Sequence, residues 1–478
     1  MTTSFFQVLL ASLTLWSCSP TSQTTETSVD TMSTTETSVP TTTTPPDKVT
    51  VISFSTSAGE MVTERVLNIE LDSQSLVTIE CTADILLGYL EEKHKVSSPS
   101  SAYTHSLRLR GLLAETSYSC TTVNTEQNAT VDFTTGPLPG ALVGRFNSPT
   151  GTPPSGFMLL NTFDGPSDGS YWLIIQDYWG NVRWYVDATH HGTGILAAEY
   201  EPDAGGIITG GVYSSELGPL SPPSGYDLSG ELWFLANAYG DHDIDYIDGS
   251  LYFPLQRNTV SCVQRWSFDT LKQTWEWCAP KASGGTVEGY NINSIAVSED
   301  ESVLLMTTFS PLEGIVKVNI DTGNMDWRLH PEGASPGLSV DTPISGLGLQ
   351  HDVAFIDCDS ADYDICLLVY DNGSAPRGYS QILSYGVNET NMTATLLRSF
   401  TRDGWYESHS GGVHEMPNRE WLITLASLNG ISKTAYLIVD VEGLEVWEMT
   451  SKTTVTGGYR ARHIAPCDIF NHTGMCPE

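Results

Sequence analysis

Three polar segments of the sequence carry the side chains best suited to chemistry. Each places His, Asn or Gln just before or at the start of a strand-like stretch. A neutral imidazole is a good nucleophile near neutral pH, because its unperturbed pKa is about 6.5. The segments are Gly240-Asp241-His242-Asp243-Ile244-Asp245, then Gly289-Tyr290-Asn291-Ile292-Asn293-Ser294, and finally Leu349-Gln350-His351-Asp352-Val353, which Val369-Tyr370-Asp371-Asn372-Gly373 follows.

An internal repeat predicts the scaffold that positions these segments. A Gly followed four residues later by Trp closes a strand at Trp184, Trp327 and Trp447, and weaker copies end at Phe234, Trp277 and Leu397. Most copies are about 50 residues apart, the length of a four-stranded propeller blade. The sequence therefore predicts a six-bladed β-propeller over residues 137–478, in which inner-strand ends converge on a central channel. A two-sheet β-domain with chance Gly and Trp turns is the alternative.

A smaller β-domain is predicted before the propeller, over residues 47–136. Short alternating strands such as Val77-Thr78-Ile79-Glu80-Cys81 and Ser117-Tyr118-Ser119-Cys120 are separated by turn residues, which indicates a β-sandwich. The run from Leu109 to Tyr118 resembles the Leu-x-x-Leu-x-x-x-Thr-x-Tyr segment of fibronectin type III domains. We expect this domain to serve spacing or binding, and the fold class to be all-β throughout.

The N-terminal residues predict export. An apolar stretch too short to span a bilayer ends at Cys18 and is typical of a signal peptide. Leu15-Trp16-Ser17-Cys18 resembles a bacterial lipobox, which would lipidate Cys18 and anchor the protein at the membrane; an ordinary cleaved signal is the alternative. Residues 1–18 are thus a leader, and the Thr-, Ser- and Pro-rich residues 19–46 an extended tether. We expect a periplasmic or cell-surface location.

The cysteines agree with an oxidising compartment. Once Cys18 is set aside, the remaining eight of the nine cysteines fall into near neighbours along the chain. Sequence alone leaves the connectivity open. No pair has zinc-knuckle spacing, so we expect no metal and no catalytic thiol. The neighbours are Cys81 with Cys120, Cys262 with Cys278, Cys358 with Cys366, and Cys467 with Cys476.

The charge of the chain excludes two classes of partner. Lys and Arg number 22 against 57 Asp and Glu, a formal charge of −35. Such a field repels nucleic acid and anionic lipid. It also means that any site for a sulfate or phosphate needs local positive potential.

The order of the polar segments resembles that of the bacterial arylsulfotransferases, which are six-bladed propellers. That family carries His-Asp, His-x-Asn-Ser, Gln-His, Phe-Asp-Asn-Gly and Tyr-Arg-Ala segments. This sequence matches the order from about residue 155 to 465 with His242-Asp243, Asn293-Ser294, Gln350-His351, Asp371-Asn372-Gly373 and Tyr459-Arg460-Ala461. The resemblance implies transfer of a sulfuryl group from an aryl sulfate to a phenol, without a nucleotide donor or another cofactor.

The resemblance also implies roles for four residues. His351 corresponds to the nucleophile, which forms a transient sulfohistidine. His242, Asn293 and Asn291 are expected to donate hydrogen bonds to the sulfuryl oxygens, which carry the charge in a loose, in-line transition state. Whether the protein has a protein partner is left unknown by the sequence.

Two departures from the family pattern keep other functions open. Asn291 stands where the family has His, and the Arg expected after the strand at 303–307 is missing. Arg377, Arg460 or Arg462 is a candidate to supply the charge. The main alternative is a noncatalytic surface propeller that binds a ligand or protein in the same channel; a hydrolase or lyase is a third possibility.

Structural roles remain open for the same residues. His351 could line the channel or the core, His242 could bond to a neighbouring blade, and Asn293 could sit in a turn. Tyr459-Arg460 is expected to be a packing element that closes the last blade. The acidic residues Asp241, Asp243, Asp245 and Asp248 lack the ligand spacing of a calcium loop, so we expect a solvated loop.

Overall fold

The computed structural model consists almost entirely of β-strands. Its described residues all belong to one compact unit, residues 48–478. Within them, no helix is long and apolar enough to cross a membrane. The predicted all-β fold is confirmed. The structure describes residues 49–87, 90–164, 171–188, 195–210, 222–235, 240, 242–257, 260–279, 291–309, 314–330, 338–340, 347–373, 377–408, 410–426, 433–452 and 456–470.

The first seven strands form two sheets over one apolar core. The orders are β1-β2-β5 and β4-β3-β6-β7. Leu67, Leu109 and Leu112 are buried between them, and the Cys81–Cys120 disulfide joins β3 to β6 within the same core. We call this part the two-sheet module. Its strands are β1 (Val51–Ala58), β2 (Arg65–Ser75), β3 (Thr78–Leu87), β4 (Leu90–Ser97), β5 (Ala102–Leu109), β6 (Ser117–Thr122) and β7 (Thr130–Thr134).

The rest of the described chain forms six consecutive sheets, whose strands pair antiparallel apart from one parallel pair in the fifth sheet. The first contains β9, β10 and β11, completed by β33 and β34 from the end of the chain; the last runs β29-β30-β31-β32 and is extended by β8 from before the first sheet. Both chain ends of this region are therefore tied into sheets that lie far away in sequence. The strands of these two sheets are β8 (Thr150–Gly151), β9 (Phe157–Asp164), β10 (Tyr171–Asp177), β11 (Val182–Asp187), β29 (Gly412–Glu415), β30 (Trp421–Leu425), β31 (Ala435–Val439), β32 (Glu445–Thr450), β33 (Thr456–Gly457) and β34 (Ala461–Ile464).

The four sheets between them each take four consecutive strands in simple order, and β24 adds to the outer edge of the fifth sheet. A short helix, α1 (Pro466–Ile469), follows β34, and a single 3-10 turn spans Gly140–Leu142. The strands of these sheets are β12 (Ala197–Glu201), β13 (Gly206–Gly210), β14 (Ser224–Asp227), β15 (Leu232–Leu235), β16 (Asp245–Ile247), β17 (Ser250–Arg257), β18 (Val260–Ser267), β19 (Lys272–Cys278), β20 (Asn291–Val297), β21 (Val303–Phe309), β22 (Gly314–Asn319), β23 (Met325–Leu329), β24 (Ser339–Val340), β25 (Gln350–Ile356), β26 (Ile365–Asp371), β27 (Gln381–Asn388) and β28 (Thr393–Phe400).

The repeat seen in the sequence has one structural meaning. Its six marker residues, from Trp184 to Trp447, lie on β11, β15, β19, β23, β28 and β32, the last strand of each successive sheet. In all six sheets the register shifts between that strand and its neighbour. Such a bulge sharpens the local twist. The marker therefore records a bulged outer strand that recurs in every sheet.

Indole hydrogen bonds connect three of the pairs of neighbouring sheets. Trp184 Nε1 donates to Leu228 O at 3.1 Å, in the outer turn of the following sheet, and Trp277 Nε1 donates to Gly323 O at 3.0 Å in the same way. Trp447 Nε1, in the last sheet, donates at 3.1 Å to Tyr178 O in the outer turn of the first sheet. The contact between the last and first sheets thus repeats the contact between consecutive ones.

Three of the expected cysteine pairs are confirmed as disulfides: Cys81–Cys120, Cys262–Cys278 and Cys358–Cys366. The third joins Cys358, in the loop between β25 and β26, to Cys366 on β26. Cys467 is also disulfide-bonded, but its expected partner Cys476 lies outside the described residues, as do Cys18 and the tether.

Candidate active site

In each of the six sheets, one strand lies on the side opposite the strand that carries the marker residue. The candidate site is formed by these strands, which we call the inner strands. These inner strands are β34, β12, β16, β20, β25 and β29. Neighbours among them contact one another, as β20 does with β25 and β29 with β34. Asp243 Oδ2 accepts from Ile295 N at 2.9 Å and Asp245 Oδ2 from Val297 N at 2.7 Å, so β16 and β20 run in the same direction.

His351 lies at the start of β25 and is buried, with 7% of its surface exposed. Its ring meets the Tyr459 ring edge to face, with the centroids 5.9 Å apart. Its backbone carbonyl accepts a hydrogen bond of 2.6 Å from Arg460 Nη2. The predicted nucleophile is therefore held by the Tyr459-Arg460 pair, which the sequence analysis assigned to packing.

Asn293 lies close to this histidine. It is buried in β20, and its Nδ2 donates to Gln350 O, next to His351, at 3.4 Å. Its own carbonyl accepts from Arg460 Nη2 at 2.9 Å. The turn that the sequence left open as an alternative is not observed: Asn293 lies within a strand, and its amide hydrogen-bonds to the neighbouring sheet.

The other two predicted residues are placed less completely. His242 precedes β16 with a φ of 59°, in the left-handed region. It is linked to the site through the next residue, Asp243, which pairs with Arg460. Asn291 begins β20, but its side chain lies outside the described part of the structure. Asn293 and His351 are thus the two predicted residues that the structure brings together.

The acidic segment after His242 is not the solvated loop predicted from the sequence. Asp243 is buried and hydrogen-bonds to β20, and Asp245 begins β16. Burial raises the pKa of Asp245 to about 7, and the neighbouring Asp243 adds to the shift, against the hydrogen bond from Val297. These carboxylates face inward because they pair with arginines and backbone amides of other sheets; Asp248, in the turn, is exposed and Asp241 lies outside the described residues.

Two arginines and two aspartates form a central ion cluster between the inner strands. Arg460 pairs with Asp243, and its Nε lies 3.6 Å from Asp352 Oδ1. Arg462 Nη1 lies 3.2 Å from Asp352 Oδ2. Burial opposes ionisation of Asp352, but Arg460 and Arg462 outweigh it and hold the pKa of that carboxyl below its usual value. We call Asp243, Asp352, Arg460 and Arg462 the central ion cluster.

The structure shows what the three arginines that were candidates to supply positive charge to a sulfate site contact. Arg460 and Arg462 are committed to its carboxylates, and Arg377 Nη1 pairs with Asp371 Oδ2 at 2.6 Å. All three candidate cations therefore have a buried carboxylate as partner. Sequence reasoning missed the role of the aspartates, although the i, i+2 spacing of Asp243 with Asp245 and of Arg460 with Arg462 is the spacing of residues that share one face of a strand.

A cavity of about 370 Å³ lies beyond the cluster. Its lining includes Arg462 of the cluster and residues that follow other cluster members along the chain, such as Val353 after Asp352. His351, Asn293 and Arg460 do not line it. Burial, with Asp245 and Asp203 nearby, raises the pKa of Glu201 to about 8. The ionisable residues of the lining are Glu199, Tyr200, Glu201, Asp245, His414, Arg462, His463 and Asp468.

Residues 290–460 match the family described as "Arylsulfotransferase (ASST)". The matched range contains Asn291, Asn293, His351 and Arg460 but begins after His242. The match supports an arylsulfotransferase-like family, whose substrates are an aryl sulfate and a phenol. Together with the disulfides it indicates an extracytoplasmic protein.

Comparison with other proteins adds little. None of the curated proteins matches the chain. Among solved structures, TolB from Acinetobacter baumannii is similar at 12% identity and a TM-score of 0.40, over 74% of this chain and 81% of that one. A quinonprotein alcohol dehydrogenase-like protein from Bacteroides thetaiotaomicron is similar at 10% identity and a TM-score of 0.35, over 87% of this chain and 99% of that one. These likenesses are too distant to bear on function.

Proposed function

We propose that this protein is an arylsulfate sulfotransferase that uses His351 as its nucleophile. The observation that carries the proposal is the hydrogen bond from Asn293 Nδ2 to Gln350 O, next to His351, inside the range that matches the arylsulfotransferase family. The amide of Asn293 bonds to the residue next to His351, so the two side chains belong to one site. A nucleophile beside a neutral donor suits the transfer of an anionic group.

The reaction takes place in two displacements. In the first, an imidazole nitrogen of His351 forms a bond to the sulfur of an aryl sulfate as the bond from sulfur to the aryl oxygen breaks, and the phenolate leaves. In the second, a phenol oxygen attacks that sulfur, the nitrogen–sulfur bond breaks, and the phenol proton is released. Asn293, Asn291 and His242 donate hydrogen bonds to the sulfuryl oxygens, where charge is concentrated in a loose transition state.

Neutral donors matter here because the nearby described cations are already paired. Arg377, Arg460 and Arg462 each contact a buried aspartate. In this proposal the sulfuryl oxygens are therefore stabilised mainly by amide and imidazole donors. This arrangement predicts slower transfer than a site with an unpaired arginine would give.

We propose a domain architecture that agrees with the arylsulfotransferase-like function. The six sheets are the blades of a six-bladed propeller, closed where β34 completes the first sheet and where Trp447 bonds to its outer turn. The two-sheet module, residues 47–136, is a fibronectin type III-like sandwich, supported by the burial of Leu109, Leu112 and Tyr118. Residues 1–18 and 19–46 are the leader and the tether, with Cys18 lipidated at the membrane.

A transfer assay tests the proposed activity. The purified protein is incubated with a chromogenic aryl sulfate and a phenol, beside His351→Ala and the matched control His414→Ala. His414 is a histidine of the cavity beyond the central ion cluster, so its loss should leave the rate unchanged. We expect release that depends on the phenol and is lost only in His351→Ala. No release from folded protein across a panel of donors would favour the noncatalytic ligand-binding propeller instead.

A further inference from the structure

Arg460 is the one described side chain that touches all three segments of the candidate site. Its Nη1 donates to Asp243, the residue after His242. Its Nη2 donates to Asn293 O at 2.9 Å and to His351 O at 2.6 Å. These segments are far apart in sequence and lie on three different sheets. One guanidinium group therefore fixes their relative positions.

The guanidinium is itself held in place from several sides. Only 3% of Arg460 is exposed, and Asp352 lies on the side of Nε. Gly412, on β29, packs against it so closely that a Cβ there would lie 2.7 Å from Arg460 Cγ and 2.7 Å from Asp352 Oδ2. The absence of a side chain at Gly412 thus leaves room for one arrangement of the arginine and the aspartate.

The chemistry of arginine explains why this residue type is needed. A guanidinium is planar and presents five donors in a rigid fork, whereas a lysine ammonium is a compact point charge on a flexible stem. Only the fork can reach a carboxylate on one side and two backbone carbonyls on the other. A lysine at this position keeps the charge for Asp243 and Asp352 but loses the link between Asn293 and His351.

We propose that Arg460 is a positioning residue that sets the geometry between His351 and Asn293 for sulfuryl transfer. This inference rests on the proposed function. Arg460 binds the backbone carbonyls of His351 and Asn293 and so fixes the positions from which these two side chains project. Its positive charge is neutralised by Asp243 and Asp352. In-line transfer depends on such alignment, because a misplacement of about 1 Å can lower the rate about 100-fold.

The test compares Arg460→Lys with Arg402→Lys in the full chain. Arg402 is a matched control because it pairs with Glu448 at the partly exposed periphery, with an Nη1 to Oε1 distance of 3.0 Å. Two readouts are taken: kcat and KM for transfer, and the ¹³Cε1 NMR resonance of the His351 ring, which is assigned with His351→Ala. The resonance reports on ring position without requiring turnover.

We expect Arg460→Lys to shift or broaden the His351 resonance and to lower kcat about 100-fold, with KM changed less than about twofold. Arg402→Lys should change neither readout. If Arg460→Lys does not fold, Gly412→Ala replaces it, since the added methyl displaces Arg460 while its charge and partners remain.

The outcomes separate the two proposals. An unchanged His351 resonance in folded Arg460→Lys would overturn the positioning role, whatever the rate, and so would a shifted resonance with an unchanged kcat. If the wild-type protein transfers no sulfuryl group but its His351 resonance still depends on Arg460, the arrangement stands and the proposed function fails.

Discussion

Two buried arginines in this molecule use the same chemistry for different ends. Arg183, on β11, donates to Asp177 and Glu92 and is fully buried, and it also donates to Gly111 O at 3.0 Å. Arg460 pairs with Asp243 and Asp352 and donates to two backbone carbonyls. Each arginine therefore joins two carboxylates and a backbone segment from a distant part of the chain.

The difference lies in what each arginine holds together. Glu92 and Gly111 belong to the two-sheet module, so Arg183 attaches that module to the first of the six sheets. The carbonyls that Arg460 reaches belong to Asn293 and His351. A buried ion pair alone thus does not indicate a functional site. Its backbone partners show whether it serves assembly or the arrangement of reactive groups.

The largest expected effect comes from Arg183→Met. The change leaves Asp177 and Glu92 buried without a cation, which costs about 3–5 kcal/mol of unfolding free energy. Urea unfolding at 25 °C measures the loss, and Arg402→Met, which breaks a partly exposed pair, should cost less than about 1 kcal/mol. The folded fraction should keep the wild-type kcat. A loss in Arg183→Met as small as in the control would show that the junction does not depend on this cation.

The aspartate partners sharpen the comparison. Asp352→Asn removes one carboxylate of the central ion cluster, and Asp177→Asn removes one partner of Arg183. Charged hydrogen bonds are worth about 1.5–3 kcal/mol each, so both variants should lose about 2 kcal/mol of stability in urea unfolding. Only Asp352→Asn should also lower kcat, by about tenfold, because Arg460 is then less firmly held. Equal kcat values for Asp352→Asn and Asp177→Asn would show that the ion pairs of Arg460 matter no more for catalysis than those of Arg183.

The smallest expected effect is a pH dependence of the folding stability, which arises from acidic residues of the cavity lining. The folded-state pKa of Asp245 is raised to about 7 and that of Glu201 to about 8, mainly by burial, above unfolded values near 4. Between pH 6.5 and 8 the folded state therefore binds more protons than the unfolded state, and stability falls as the pH rises. We expect a loss of about 1 kcal/mol over this window.

Glu201→Gln is the variant that checks this pH dependence. It cannot ionise, so its melting temperature should fall less between pH 6.5 and 8 than that of the wild type. Asp300→Asn is a suitable control because its carboxyl is solvent-exposed and its pKa is lowered to about 2, which places its titration well below the window. Parallel slopes for the wild type and Glu201→Gln would contradict the assignment.

Local patterns in the sequence predicted the strands and their repetition, but not the central ion cluster. The Gly and Trp markers and the paired cysteines reflect contacts within one sheet or between adjacent outer turns, which recur at fixed spacing. Arg460 instead meets Asp243 and Asp352, which are distant in sequence, so no short pattern joins them. Only the i, i+2 spacing of Asp243 with Asp245 and of Arg460 with Arg462 could have suggested charged faces directed inward.

The most direct test of the account is a single-turnover labelling of His351. The folded protein is mixed with an aryl sulfate in the absence of phenol, and its peptides are analysed by mass spectrometry. We predict one added sulfuryl group on the peptide that contains His351, lost when phenol is added and absent from His351→Ala. A sulfuryl group found on another residue, or none on folded protein for any donor that it binds, would contradict the assignment of His351 as the nucleophile.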